Sequence, residues 1–189
     1  MLIVCFPAFT KEIKHEFSIG AGAFSRPYLK DAVEIEKIWL SDDGMLHDRS
    51  YSGTFHISYN YFFNKHRSIG FSYMFEQQKY IYSNSNNPSD RLRTFYTHYY
   101  HSTMLRYTEY WIQAPFISLY SSLGFGVNYT RIKNTLDEHL PFVQLNENKN
   151  TLAYQITPIG IRIGKRIGGY AEVGYGYKGI VCGGLSYRF

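Results

Sequence analysis

His56 and Ser58 stand two residues apart, which in an extended chain places an imidazole and a hydroxyl on one face. With a carboxylate to orient the ring, such a pair is a hydroxyl nucleophile and its base, and the chemistry would be acyl hydrolysis. Polar residues at this spacing also arise wherever one side of a strand faces a packed polar interior, which is the plainer reading. His98 and His101 are three apart, so a strand sends them to opposite faces and no metal site is expected there. Asp42-Asp43 and Asp137-Glu138 are adjacent acids in polar stretches, expected to be solvated. No glycine-rich loop precedes a helix to cradle a phosphate, because the glycines alternate within strand-like segments, and no cofactor is expected.

The elements that must hold these residues follow from composition. The 189 residues are 19% aromatic, with 19 Tyr and 14 Phe, yet mean hydropathy is only -0.31. A helical membrane protein needs runs of about 20 apolar residues, and none is present. A transmembrane barrel reconciles the two values, because each strand alternates a lipid-facing residue with one facing a polar lumen and rings collect at both interfaces. The net charge of +5 is dispersed, with short groups such as Lys65-His66-Arg67 and Lys165-Arg166, so nucleic acid is not an expected partner. Cys5 and Cys182 lie at opposite ends of the chain and imply no disulfide framework.

Eight segments show period-two alternation over the roughly 9 to 11 residues that a barrel strand requires. They are His15 to Ser25, Ser52 to Phe63, Ser68 to about Tyr80, Tyr99 to Trp111, Phe116 to Thr130, Thr151 to Gly164, Gly168 to Tyr177, and Val181 to Phe189. The second sets Phe55, Ile57, Tyr59, Tyr61 and Phe63 against Ser52, Thr54, His56, Ser58 and Asn60. The fourth leaves Glu109 on the apolar parity, to be relieved by a bulge or an interface. The sixth changes phase near Thr157-Pro158, which predicts a bulge. In the seventh, Ala171, Val173, Tyr175 and Tyr177 face out. Short links after the second, fourth and sixth segments alternate with long ones, Arg26 to Tyr51, Ile81 to about His98, and Arg131 to Asn150; only Lys178 to Ile180 is short on the long side. Within the first long link, Asp31 to Glu34 is expected to open a short helix carrying Ile35, Ile38 and Trp39 on one face. Glu76, Arg106, Arg162 and Glu172 fall on lumen parity, where charges must pair, and are expected to form a structural polar network. An eight-stranded interior is filled by side chains, so an open pore is not expected.

Residues 1–13 are read as a truncated signal peptide or N-terminal extension, since Met1 to Phe9 is apolar but lacks a preceding basic region; residues 14–189 are read as the barrel. Gly183-Gly-Leu-Ser-Tyr-Arg-Phe189, with Leu185, Tyr187 and Phe189 on one parity, resembles the assembly signal of outer-membrane barrel proteins. Ser118 to Gly126, Thr157 to Ile161 and Gly169 to Gly174 resemble segments of the small outer membrane protein beta-barrel domain family, related to OmpA and OmpX barrels. The resemblance covers about Lys14 onward. It implies an all-β, eight-stranded antiparallel up-and-down transmembrane β-barrel in the outer membrane of a Gram-negative bacterium, inserted by the barrel assembly machinery, and it implies no shared catalytic residue.

The expected function is therefore noncatalytic: a barrel in contact with outer-membrane lipid whose long extracellular loops serve surface interaction or structural support, with a loop partner that the residues do not identify. Two alternatives have distinct requirements. A lipid hydrolase resembling a lipid-A deacylase needs a carboxylate within reach of His56 and Ser58. A soluble ligand-binding barrel needs its apolar side chains inside.

Overall fold

A computed structural model describes residues 14–31, 45–83, 93–136 and 146–189. The strands are β1 (His15–Ala23), β2 (Met45–Asn64), β3 (Arg67–Ser83), β4 (Arg93–Gln113), β5 (Ile117–Leu136), β6 (Asn146–Gly164), β7 (Ile167–Gly176) and β8 (Val181–Arg188). Each pairs antiparallel with its neighbour in sequence, and β1 pairs with β8 from Glu16↔Arg188 to Ala23↔Val181, so the sheet closes. Closure removes the free edges that would otherwise leave backbone donors and acceptors unpaired.

The side chains are distributed inside out. Phe17, Ile19, Phe55, Ile57, Phe71, Leu123, Phe125 and Val127 are exposed on the outer wall, and Leu105 reaches 65% exposure. Ser18, Thr54, His56, Ser58, Asn60, Ser72, Ser102 and Asn128 are buried inside. A soluble ligand-binding barrel would show the reverse, and the structure overturns that alternative. Among these polar side chains the interior also holds two apolar groups, Phe62 with Tyr110 and Tyr120, and Met74 with Met104, Ala153 and Tyr177.

The chain departs from its predicted elements where a local kink shifts parity. A register shift between Tyr51 and Thr54, with Gly53 at φ 76°, turns Ser52 outward; its Oγ accepts from the Gln77 N–H at 3.0 Å. Tyr177, expected outside, is buried, because β7 ends at Gly176 (φ 146°) and the next side chain swings into the lumen. The first strand stops at Ala23, short of Ser25, and Phe24 (φ 58°) turns the chain inward. Residues 26–31 are helical, and Ser25 Oγ accepts from the Tyr28 N–H at 3.2 Å as an N-cap. Helix therefore begins ahead of Asp31 instead of at it; Glu34, Ile35, Ile38 and Trp39 lie outside the described residues. Strands β2 to β6 run 17 to 21 residues, so the strands extend into each predicted long loop. Thr157-Pro158 forms the expected bulge, seen as register shifts on both sides of β6. Glu109 does lie on the outer wall, where Arg67 beside the β2–β3 turn pairs with it at 3.1 Å.

Candidate functional site

Inward parity delivers polar side chains from every strand to one narrow lumen, where they sort into three levels. At the short-turn end, Glu16 and Arg188 are cross-strand partners on β1 and β8 and form a buried ion pair. Arg162 lies 3.5 Å from the same carboxylate. The Nε that makes this contact donates to Ser186 Oγ (2.6 Å), and the two terminal nitrogens donate to the carbonyls of Gly164 (2.7 Å), Lys165 and Arg166 (both 3.0 Å), which ties down the β6–β7 turn. The Arg188 guanidinium lies over the rings of Phe62 (5.2 Å) and Tyr110 (5.5 Å).

The middle level is organised by Glu172, 2% exposed. One carboxylate oxygen accepts from Arg106 on β4 (3.2 Å) and the Tyr120 hydroxyl on β5 (2.8 Å). The other accepts from Lys178 in the β7–β8 link and from the Cys182 thiol on β8 (3.3 Å). A single carboxylate thus joins four elements across the barrel. His56 Nε2 is hydrogen-bonded to the Tyr170 hydroxyl, while among the described residues His56 Nδ1 and Ser58 Oγ have no hydrogen-bond partner. His56 and Ser58 therefore make no hydrogen bond to each other or to a carboxylate, and both face the packed interior away from the apolar wall.

At the long-loop end, Glu76 on β3 accepts from Thr54 Oγ1, its cross-strand partner on β2 (2.8 Å), and from Gln78 Nε2. Above it the helical turn 26–31 crosses the mouth. Arg26 stacks on Tyr154 (5.1 Å) and Tyr177 (5.8 Å) and donates to the Tyr177 hydroxyl at 3.2 Å. Five residues on, Asp31 accepts from the hydroxyls of Tyr80 (2.7 Å) and Tyr100 (2.8 Å) on β3 and β4 and lies 3.6 Å from His98. Burial pushes the Asp31 carboxyl up, but hydrogen bonds from His98, Tyr80 and Tyr100 outweigh it and hold the group below the ordinary aspartate value. The turn is thus fastened to two separate parts of the wall.

Of the four charges singled out in the sequence, the structure pairs Arg106 with Glu172. It assigns Arg162 to Glu16, and Glu76 to neutral donors. Glu16, Arg188 and Lys178 complete the clusters. Glu16 carried a legible signal, since it shares the parity of Ser18 opposite Phe17 and Ile19. Lys178 sits in an irregular link and carried none. Leu185, Tyr187 and Phe189 are exposed on the outer wall, with Phe189 stacked on His15 at 5.3 Å. His98 turns toward Asp31, whereas His101 is hydrogen-bonded to the outward Tyr73 (2.7 Å). Asp42, Asp43, Asp137, Glu138 and residues 1–13 lie outside the described residues.

No protein-family model matches the chain, and no curated protein matches it in sequence. Among solved structures, the chain is similar to Ail, the attachment invasion locus protein of Yersinia pestis, crystallised with the heparin analogue sucrose octasulfate: 16% identity over 94% of this chain and 100% of that one, with a TM-score of 0.43.

Proposed function

We propose that this chain is a noncatalytic outer-membrane β-barrel of a Gram-negative bacterium, whose wall is solvated by lipid and whose long connections present a surface for interaction outside. The observation that carries it is the closed, apolar outer wall around an interior of ions and hydroxyls. In water that wall would expose far more contiguous apolar surface than a soluble monomer shows; in a bilayer it faces acyl chains, and among β-sheets a closed barrel is the form that satisfies every backbone group there. Arg106 and Glu172, Arg162 with Glu16, and Glu76 with its neutral donors serve as the structural fill of the lumen. Leu185, Tyr187 and Phe189 present the apolar outward face that the barrel assembly machinery would recognise.

The test is fractionation followed by a heat-modifiability gel. The expected result is recovery in the outer-membrane fraction and a band that shifts on boiling. Recovery in the aqueous phase without detergent overturns the reading. The hydrolase alternative predicts lipid cleavage that Ser58→Ala abolishes; with Ser58 unpartnered among the described residues and His56 committed to Tyr170, the expectation is no difference between the two proteins.

A further inference from the structure

The short-turn end of the barrel carries a one-sided crescent of exposed positive charge. Lys14 leads into β1, Lys65 and His66 form the β2–β3 turn with Arg67 opening β3, and Lys165 and Arg166 form the β6–β7 turn; all are exposed. The backbone holds these segments at one rim: Lys14 N–H donates to Phe189 O (3.2 Å), Arg188 N–H to Arg166 O (2.8 Å), Tyr110 N–H to His66 O (2.7 Å) and Gly164 N–H to Phe116 O (2.8 Å). Two acids lie near this end among the described residues. Glu16 is buried and neutralised by Arg188 and Arg162, and Glu109 is paired with Arg67. The β4–β5 turn at residues 114–116 is uncharged. Around the barrel, then, the positive side runs from β6 through the β8–β1 seam to the β3–β4 edge, where Tyr110 is bonded to the Lys65-His66 turn, and the neutral side is the β4–β5 turn.

Directly against the crescent sits apolar surface. Ile167, 72% exposed, follows Arg166, and Phe63, Ile163 and Phe116 are exposed beside the turns. Lys165 Nζ lies 4.6 Å from the Phe116 ring centroid, so its charge is held at the edge of the apolar wall. Cations fixed at the border of a hydrocarbon-facing surface match one ligand geometry, a phosphate joined to acyl chains. A soluble anion would use the charges and leave the adjoining rings unused.

We propose that this rim is a binding surface for the headgroups of anionic phospholipid, with Lys14, Lys65, Lys165 and Arg166 taking phosphates while the wall beside them takes the acyl chains. This rests on the membrane reading above and adds to it the lipid class at the short-turn end and an asymmetry around the barrel.

Trp111 is the reporter. It is exposed and follows Tyr110, whose backbone is bonded to the Lys65-His66 turn. With Trp39→Phe removing the second tryptophan of the chain, the protein is refolded into vesicles of phosphatidylcholine containing either brominated phosphatidylcholine or brominated phosphatidylglycerol, and quenching of Trp111 is compared. The expected preference for the glycerol lipid is roughly threefold at low salt, falling toward one in Lys65→Gln/Lys165→Gln/Arg166→Gln and in about 0.5 M salt. Equal quenching by both lipids, or a preference that survives the triple variant, overturns the proposal. Boiling-dependent band shift and protease resistance in pure phosphatidylcholine report insertion separately. Failure there removes the membrane reading and this proposal with it, whereas insertion without lipid preference removes this proposal alone. Lys165→Gln by itself, a single exposed change, checks that a lost preference is not lost folding.

Discussion

Glu172→Gln perturbs the most heavily loaded group in the lumen. The glutamine keeps an acceptor for Tyr120 and Arg106, but it places an amide donor where Lys178 and Cys182 also donate. Two buried cations then share no anion. At the observed 3.2 Å, one pair alone attracts by about 5 kcal/mol at an effective dielectric of ~20. Part of that attraction offsets the cost of desolvating the ions, and removing one partner of a buried pair typically costs about 3–5 kcal/mol because the other stays buried. The same change at Glu109, whose partner Arg67 is half exposed at the rim, leaves nothing buried and is expected to move stability far less. Urea unfolding in detergent micelles, followed by loss of the heat-modifiable band, compares the two variants directly. A further variant, Arg106→Met/Glu172→Leu/Lys178→Met, removes all three charges together and is expected to recover most of the loss. The reasoning is refuted if Glu172→Gln costs under about 1 kcal/mol, the range of an exposed pair, or if the triple variant is worse than the single one.

The outer wall yields a second expectation: Leu123→Arg, midway along the apolar outward run of β5 from Ile117 to Tyr129, should destabilise the barrel in vesicles by about 2–4 kcal/mol, and equal stability of variant and parent in an unfolding titration would contradict a lipid-facing wall. Gly160 faces Tyr120 so closely that an added Cβ would meet its ring at 2.4 Å, whereas at Gly124 the nearest atom, Met104 Sδ, is at 3.4 Å; Gly160→Ala should therefore cost about 1–3 kcal/mol by overpacking and Gly124→Ala much less, read by the same unfolding midpoint. Asp31 should anchor the helical turn across the mouth in a pH-dependent way. Its folded carboxyl lies below the ordinary value, so the stabilisation is complete above about pH 5 and is lost as pH falls through the folded value. Protection factors of the residue 26–31 amides, corrected for the intrinsic pH dependence of exchange, should fall on acidification, and Asp31→Asn should show the lower protection already at neutral pH; unchanged protection in both would remove the latch.

What could be read from the sequence was whatever depends on the chain's own local geometry. Alternation is a property of an extended backbone, so Phe55 to Phe63 and Leu123 to Tyr129 announce an outer wall without reference to any neighbour. Proline at 158 likewise announces its bulge, because it removes a ladder donor wherever it stands. Even Glu109, on the wrong parity, signalled the rim that Arg67 supplies. Parity failed where a single residue slips: nothing apolar marks the kink at Gly53 that turns Ser52 out, or the one at Gly176 that turns Tyr177 in. Partnership was beyond reach altogether. Glu16 meets Arg188 at the far end of the chain because the barrel closes with a particular stagger, and Glu172 gathers Arg106, Lys178 and Cys182 because three elements converge on one point of the lumen. Such contacts are set by closure and register, which couple residues distant in sequence and leave no local pattern, so only the tertiary structure decided which inward charges became pairs.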